Sequence, residues 1–269
     1  MGRLARHVSS KWKKTLALLK NSRVRPYVPD TRLMTARALA AMLSKYGTAY
    51  AKPVSGTHGR GVIRVERRAQ DDYRLQEGKT VRAFGSFARL YGALQRRKAN
   101  RRYLVQRGID LLRHNGRPFD VRVMVQRNPK RQWETTGIIA RVAERGKAVT
   151  NYHNGGTPMR LGKVLAPVAG GARAAACKRQ LAKLGVRAAA ALGKTYPRVD
   201  SIGADIGIDR RFRPWIIELN TSPDPYIFRH LKDARTYRKI IAYARALGRI
   251  PPKVRKSAPR GGVRRRKRG

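Results

Sequence analysis

Two short runs near the C-terminal end constrain this chain more than any other feature. Ile202-Gly203-Ala204-Asp205-Ile206-Gly207-Ile208-Asp209 and Arg213-Pro214-Trp215-Ile216-Ile217-Glu218-Leu219-Asn220 both alternate apolar with polar or small residues. The polar turn Asp209-Arg210-Arg211 lies between them, so the pattern predicts two short strands. Residues two apart on a strand share a face, so Glu218 and Asn220 point the same way. A hairpin pairing would let Asp205 face the same space. Two carboxylates and an amide oxygen, with no thiol or imidazole, form a hard-oxygen set suited to Mg2+. The competing reading is a solvated hairpin face that is acidic by chance. It must be weighed against a composition of 15 Asp and Glu beside 63 Lys and Arg.

That imbalance gives a formal net charge of +48. Nine of the cations and no acid fall in residues 251–269, so the rest of the chain is itself strongly basic. Such a field attracts polyanions: nucleic acid, an anionic polymer or an acidic surface. No zinc-finger spacing, basic zipper or aromatic RNP pattern accompanies it. Hydrophobic residues make up 41% of the 269, enough for one large domain or two small ones with a substantial core. The single cysteine, Cys177 within Ala174-Ala175-Ala176-Cys177, excludes an internal disulfide and reads as a buried helix residue. No signal-peptide pattern and no apolar run of about 18 residues occurs, which makes a soluble cytoplasmic protein the expectation.

Leu4, Val8, Trp12, Leu16 and Leu19 recur at helical spacing and predict an amphipathic helix over 4–20. Ser9-Ser10 offers the alternative of a cap on a shorter helix from Lys11. Arg25-Pro26-Tyr27-Val28-Pro29-Asp30 reads as an extended linker, since each proline biases its predecessor away from helix. A second helix follows over about 35–45, with Leu39, Met42 and Leu43 inward. Next comes a strand ending in Lys52, a loop containing Ser55, Gly56, Gly59 and Gly61, and another strand through Val65. Glycine lets backbone N–H groups approach phosphate oxygens closely while lysine supplies charge. Because a strand follows the loop, it is neither a Walker A nor a dinucleotide fingerprint, and an ordinary hairpin turn has the same composition.

Strands are predicted at 73–76 and 103–109, and a helix over 86–97 with Leu90 and Leu94 on one side. Two long strands, 119–126 and 133–142, meet at the Asn128-Pro129 turn. Asp120 and Arg122 share a face of the first, and Ile139 and Arg141 a face of the second. Arginines inside a sheet need a partner or a ligand, whereas on an edge they are solvated. The turn at 150–156 either adds donors to a site or is a plain loop, and His58 and His153 lack metal-type spacing. One long helix is expected over 170–193 and a closing helix over about 227–247. The tail beyond Pro251-Pro252 reads as basic and disordered.

Lysine strand, glycine loop, strand, Gln106 segment, arginine strands and the Asp…Glu-x-Asn hairpin occur in an order that resembles the ATP-grasp superfamily. The wording is closest to its YheC/YheD branch, described as endospore coat-associated. Tyr27-Val28-Pro29-Asp30-Thr31-Arg32, Phe119-Asp120-Val121-Arg122-Val123 and Trp215-Ile216-Ile217-Glu218-Leu219-Asn220-Thr221-Ser222-Pro223 carry the likeness, which covers roughly residues 8–248. It implies an α+β fold in which two α+β subdomains clasp a nucleotide. The corresponding division is a helix and linker over 1–30, an ATP-grasp domain over 31–248 and a basic tail over 249–269. Within the domain, a nucleotide lid spans about 48–105 and a C-terminal subdomain about 106–248.

The resemblance further implies ATP and Mg2+ as cofactors. Lys52 would contact the nucleotide phosphates, with Ser55, Gly56, Gly59 and Gly61 closing over them and Lys11 adding a further cation. Gln106, Arg107 and Ile109 would line the adenine side. Arg122 and Arg141 resemble the phosphate- or acyl-phosphate-binding arginines, and Asp205, Glu218 and Asn220 the magnesium ligands. The implied reaction joins a carboxylate to an amine through an acyl phosphate, on substrates the sequence does not identify. Only about 30 residues precede the Pro29-Asp30-Thr31 point, so the substrate half common in such ligases is expected to be missing or supplied by a partner. Two other readings stand beside the ligase: a coat protein that keeps the fold without turnover, and a polyanion-binding protein on the same scaffold. Association with the forming spore coat belongs to the same set of expectations.

Overall fold

The computed structural model describes residues 6–56, 59–150, 152, 155–231 and 233–251. The expectations for Leu4, His58, His153 and the tail fall outside the described residues. In chain order the elements are α1 (Lys11–Leu19), β1 (Thr31–Leu33), α2 (Ala36–Tyr46), β2 (Thr48–Pro53), β3 (Ile63–Ala69), β4 (Asp72–Glu77), β5 (Thr80–Phe84), α3 (Phe87–Lys98) and β6 (Tyr103–Arg107). Then follow β7 (Arg113–His114), β8 (Arg117–Arg127), β9 (Trp133–Val142), β10 (Thr157–Met159), α4 (Leu161–Thr195), β11 (Ser201–Ile208), β12 (Pro214–Asn220) and α5 (Ala234–Ala246).

The strands form two antiparallel sheets. The first has the order β1-β6-β2-β3-β4-β5, and the second β10-β9-β8-β11-β12 with β7 beside β8. Period-2 alternation gives each sheet two unlike faces. In the first, Ala49, Ala51, Ile63, Val65, Leu75 and Val105 pack beneath α2 and α3 with Leu39, Leu43, Leu90 and Leu94. The opposite face carries Tyr50, Lys52 and Gln106. In the second, Val121, Val123, Val125, Ala204, Ile206 and Leu219 meet α4 and α1. Its other face is divided. Met124 and Ile139 are covered by Phe228 and Ile240, while Asp120, Arg122, Arg141 and Asp205 occupy the remainder.

The first 30 residues join the same core, through Val8, Ala17, Leu18, Val24 and Val28. Of the two starts open to the first helix, the shorter one forms. Ser10 Oγ accepts the Lys13 N–H at 3.2 Å, fixing the start at Lys11. The expected extended linker contains a 3-10 turn at Arg25–Tyr27, where Pro26 sits at a position that needs no intrahelical N–H. The long helix begins earlier than expected and is broken at Gly170, whose φ of 69° and ψ of 165° are not helical. The closing helix is likewise two pieces, a 3-10 turn Tyr226–Leu231 and α5. Asp233 separates them by accepting the Arg235 and Thr236 N–H groups as an N-cap. Cys177 is buried in α4 as expected, and burial pushes its thiol pKa up. Among the described residues no helix is long and apolar enough to cross a membrane.

Candidate functional site

The C-terminal hairpin forms, and its register decides what faces the space between the sheets. Asp205 lies directly opposite Glu218, and Gly203 opposite Asn220. The pairing then slips, with Ile206 opposite Ile216, so Ile217 is an extra residue in β12. Such a bulge breaks strict alternation. It lets Ile217 and Glu218 both line the gap while Ile216 and Leu219 stay in the core. Gly203 is required next to this pair, because a Cβ there would stand 2.9 Å from Arg122 Cδ and 3.0 Å from Pro223 Cβ.

Beneath the carboxylates lies a chain of alternating buried charges. Asp120 is the cross-strand neighbour of Arg141, and Asp205 of Arg122. Arg122 donates Nε to Asp205 Oδ1 at 2.5 Å and Nη2 to Oδ2 at 3.1 Å. Arg141 donates Nε to Asp120 Oδ1 at 2.8 Å, pairs through Nη2 with Asp120 Oδ2, and reaches Asp205 Oδ1 at 3.1 Å. All four residues are buried. Burial alone would raise the Asp205 pKa, but the two guanidiniums reverse this and hold it at about 2. For Arg141, burial opposes the charge and the two aspartates outweigh it, so the pKa goes up. Of the partner, ligand or water that the sequence left open to these two arginines, the partner is what the fold supplies: both are neutralised by carboxylates.

The Lys52 and Lys14 ammonium groups are not. Lys52, at the end of β2, is buried and donates to Gln106 Oε1 at 2.6 Å, a neutral acceptor. Gln106 is held by Thr31 Oγ1 at 3.1 Å and the Ile217 carbonyl at 3.4 Å. Burial lowers the Lys52 pKa to about 8, despite the fields of Glu218 and Asp205. Lys14, one helical turn after Lys11, is only 5% exposed, and among the described residues its ammonium makes no ion pair or hydrogen bond. Its pKa is also lowered, chiefly by burial. Lys11 joins the two halves: its Nζ donates to the Gly56 carbonyl at 2.7 Å and lies 3.3 Å from Glu218 Oε1. Lys14 is the residue that reading the sequence missed. Four lysines crowd α1 and its C-cap, and only packing shows which one faces inward.

Two adjoining cavities share Gly59, Asp205 and Glu218 on their walls. The larger, about 390 Å³, is polar and holds Lys11, Lys14, Asn220, His7 and Asp224 at its rim. The smaller, about 70 Å³, lies between Tyr50, Val62, Ile109, Val149 and Ile217, with Lys52 and Arg107 on its wall. Gly56 and Gly59 of the glycine loop adopt positive φ, at 130° and 70°, and line or border the polar cavity. Ser55 is exposed and Gly61 packs against Tyr103, so neither lines these cavities. Arg107 lies over the Tyr46 and Trp215 rings at 4.8 and 4.9 Å. Among the described residues no three His, Cys, Asp or Glu side chains converge, so a cation here would rely on two carboxylates and Asn220.

This architecture recurs in solved structures. The ATP-grasp ligase PsnB complexed with minimal precursor, Mg and ADP superposes with a TM-score of 0.51, over 89% of this chain and 59% of its own, at 15% identity. The ADP complex of PurK, an N5-carboxyaminoimidazole ribonucleotide synthetase, gives 0.51 over 88% and 51%, at 11% identity. At those identities the likeness concerns the fold. In sequence, the chain is 27% identical over 249 residues to the endospore coat-associated protein YheD of Bacillus subtilis strain 168, covering 87% of this chain and 53% of that protein. YheC of the same organism is 21% identical over 230 residues, covering 82% and 61%. The chain thus spans between half and two thirds of these relatives. Residues 4–247 match the family model described as YheC/D like ATP-grasp, and the chain belongs to that family.

Proposed function

We propose that the gap between the sheets binds ATP with Mg2+ and that the protein is an ATP-dependent ligase of the carboxylate–amine class. One observation carries this reading. Lys11, Lys14 and the opposed pair Asp205 and Glu218 line a polar cavity, and it adjoins a smaller slot with Lys52 on its wall. The donor chemistry fits the ligands. Among the described residues Asn220 Oδ1 accepts only the Ser222 N–H, at 2.9 Å, and keeps a lone pair. Glu218 is half-buried and, among the described residues, faces Lys11 alone at ion-pair range. Asp205 is held ionised and oriented by its arginines. Such oxygens suit Mg2+, and lysines that lack anionic partners suit phosphates.

Bound here, MgATP would supply the phosphoryl group that activates a carboxylate for attack by an amine. The side chains would contribute charge neutralisation and alignment rather than a nucleophile. Lys11, Lys14 and Lys52 hold anionic oxygens, Gln106 fixes the direction of Lys52, and the backbone at Gly56 and at Gly59 closes over them. Lining of the smaller slot by Ile109 and Arg107 supports their role beside the base. Association with the endospore coat is part of the same proposal, motivated by the two Bacillus subtilis relatives.

The test is Glu218→Gln. Magnesium-dependent ATP binding, followed by calorimetry, is expected to disappear while the circular dichroism spectrum is unchanged. Unaltered affinity removes Glu218 from the ligand set. An ADP-release screen against paired carboxylates and amines then separates a ligase from a binding protein without turnover.

A further inference from the structure

The molecule's acids are used up inside it. Eleven of the fifteen lie within ion-pair distance of a cation, and Asp209, Asp224 and Asp233 cap backbone N–H groups. From Arg145 to Val199 the chain contains no Asp or Glu at all. That stretch includes α4, whose inner side packs on β8, β9 and β11. At 3.6 residues per turn, Arg179, Lys183, Arg187 and Lys194 fall within about a quarter-turn of one another. All four are exposed, and among the described residues none makes an ion pair. At 1.5 Å per residue the stripe is about 22 Å long, with its first three cations about 6 Å apart. Exposed Ala176 and Ala190 occupy the same arc, so nothing bulky stands proud of the charges. On neighbouring α1 and at its C-cap, Lys13 and Lys20 are exposed as well.

We propose that the outer face of α4 docks the phosphate backbone of duplex DNA, independently of sequence. A rigid, straight line of cations matches a rigid line of anions, and neutralising phosphates releases condensed counterions. The stripe has no aromatic side chain on which unpaired bases could stack, which disfavours single strands. Gln180 and Thr195 are the only uncharged hydrogen-bonding side chains exposed on this part of the helix, too few to read ribose hydroxyls. The face lies on the side of the second sheet away from Asp205 and Glu218, so docking leaves the cavity between the sheets open. This inference does not depend on nucleotide binding.

The test uses the full chain and a labelled random-sequence 30-base-pair DNA duplex, titrated from 50 to 300 mM NaCl. Reversing Arg179, Lys183, Arg187 and Lys194 to Glu is expected to weaken binding at least about 100-fold at 100 mM and to flatten the log–log salt slope by about 3 to 4. Changing the same four to Gln gives the same order of effect with less repulsion and guards against misfolding, which circular dichroism checks. A control reverses Arg67, Arg82, Arg89 and Arg96, all exposed around the first sheet and α3, and is expected to stay within about threefold of wild type. Equal loss in both sets would mean that net charge alone binds, and would overturn the proposal. So would binding unchanged by either α4 set, or a tenfold preference for single strands, duplex RNA or polyglutamate.

Discussion

The floor and the rim of the cavity treat buried charge in opposite ways. On the floor, Arg122 and Arg141 are met by Asp205 and Asp120 in close, partly bidentate geometry. At the rim, Lys52 has a neutral amide for a partner and Lys14 has none among the described residues. Both pairs of residues are comparably buried, so exposure does not explain the difference. What differs is whether the fold completes the charge by itself. A saturated network fixes a rigid base for Asp205 and Glu218, whereas an unsaturated one leaves binding capacity for an anion that arrives later. The same side-chain charge thus serves architecture in one layer and recognition in the other.

Removing a partner from the floor should therefore be the most damaging change. Asp120→Ala leaves Arg141 with Asp205 alone and is expected to cost about 3–5 kcal/mol in urea unfolding. A loss below about 1 kcal/mol would show that the guanidinium finds water instead, and the contrast between the layers would collapse.

Lys52→Met should behave in the opposite sense. Nucleotide affinity is expected to fall by about 10- to 100-fold, the worth of one charge-assisted hydrogen bond. Stability should hold or rise, because an ammonium whose burial is uncompensated has been deleted. Calorimetry and unfolding on the same preparation separate the two effects. A variant that loses both would mark Lys52 as structural.

Titration sharpens the point without mutation. The folded Lys52 pKa of about 8 lies below the ordinary value of 10.5, so the unfolded chain binds more protons between those limits. Its burden on stability is fully present below about pH 8 and is relieved as pH rises toward 10.5. Anion binding runs the other way, since it needs the protonated form. ATP affinity is expected to drop by about tenfold near pH 9 and to be accompanied by proton uptake at pH 8, seen as a buffer-dependent binding enthalpy. The floor should be silent throughout this range, with Asp205 titrating at about 2.

Much of this division could be read in the sequence, and the part that could not has a common cause. Local periodicity placed the hairpin, the glycine loop and the inward side of α2, because each depends on neighbours along the chain. The match of Asp120 with Arg141 depends on register between β8 and β9, and the exposure of Ile217 on a one-residue slip against β11. Neither leaves a trace in alternation. β5 was invisible for a related reason: Thr80–Phe84 is an edge strand with almost no buried side chain, so its residues carry no apolar pattern. The tripeptide strands β1 and β10 are too short for any period to show.

The smallest expected effect concerns how the rim is held. Two of its three lysines ride on α1, whose first turn is fixed by Ser10 Oγ and by the Lys11 N–H bond to the Val54 carbonyl at 2.8 Å. Ser10→Ala removes the first restraint and should cost about 1 kcal/mol of stability. If the rim needs only charge, ATP affinity will move by less than about threefold, because Lys11 and Lys14 stay on the same packed helix. A loss as large as that of Lys52→Met would show instead that the rim is as geometrically exacting as the floor, differing from it in charge balance and in nothing else.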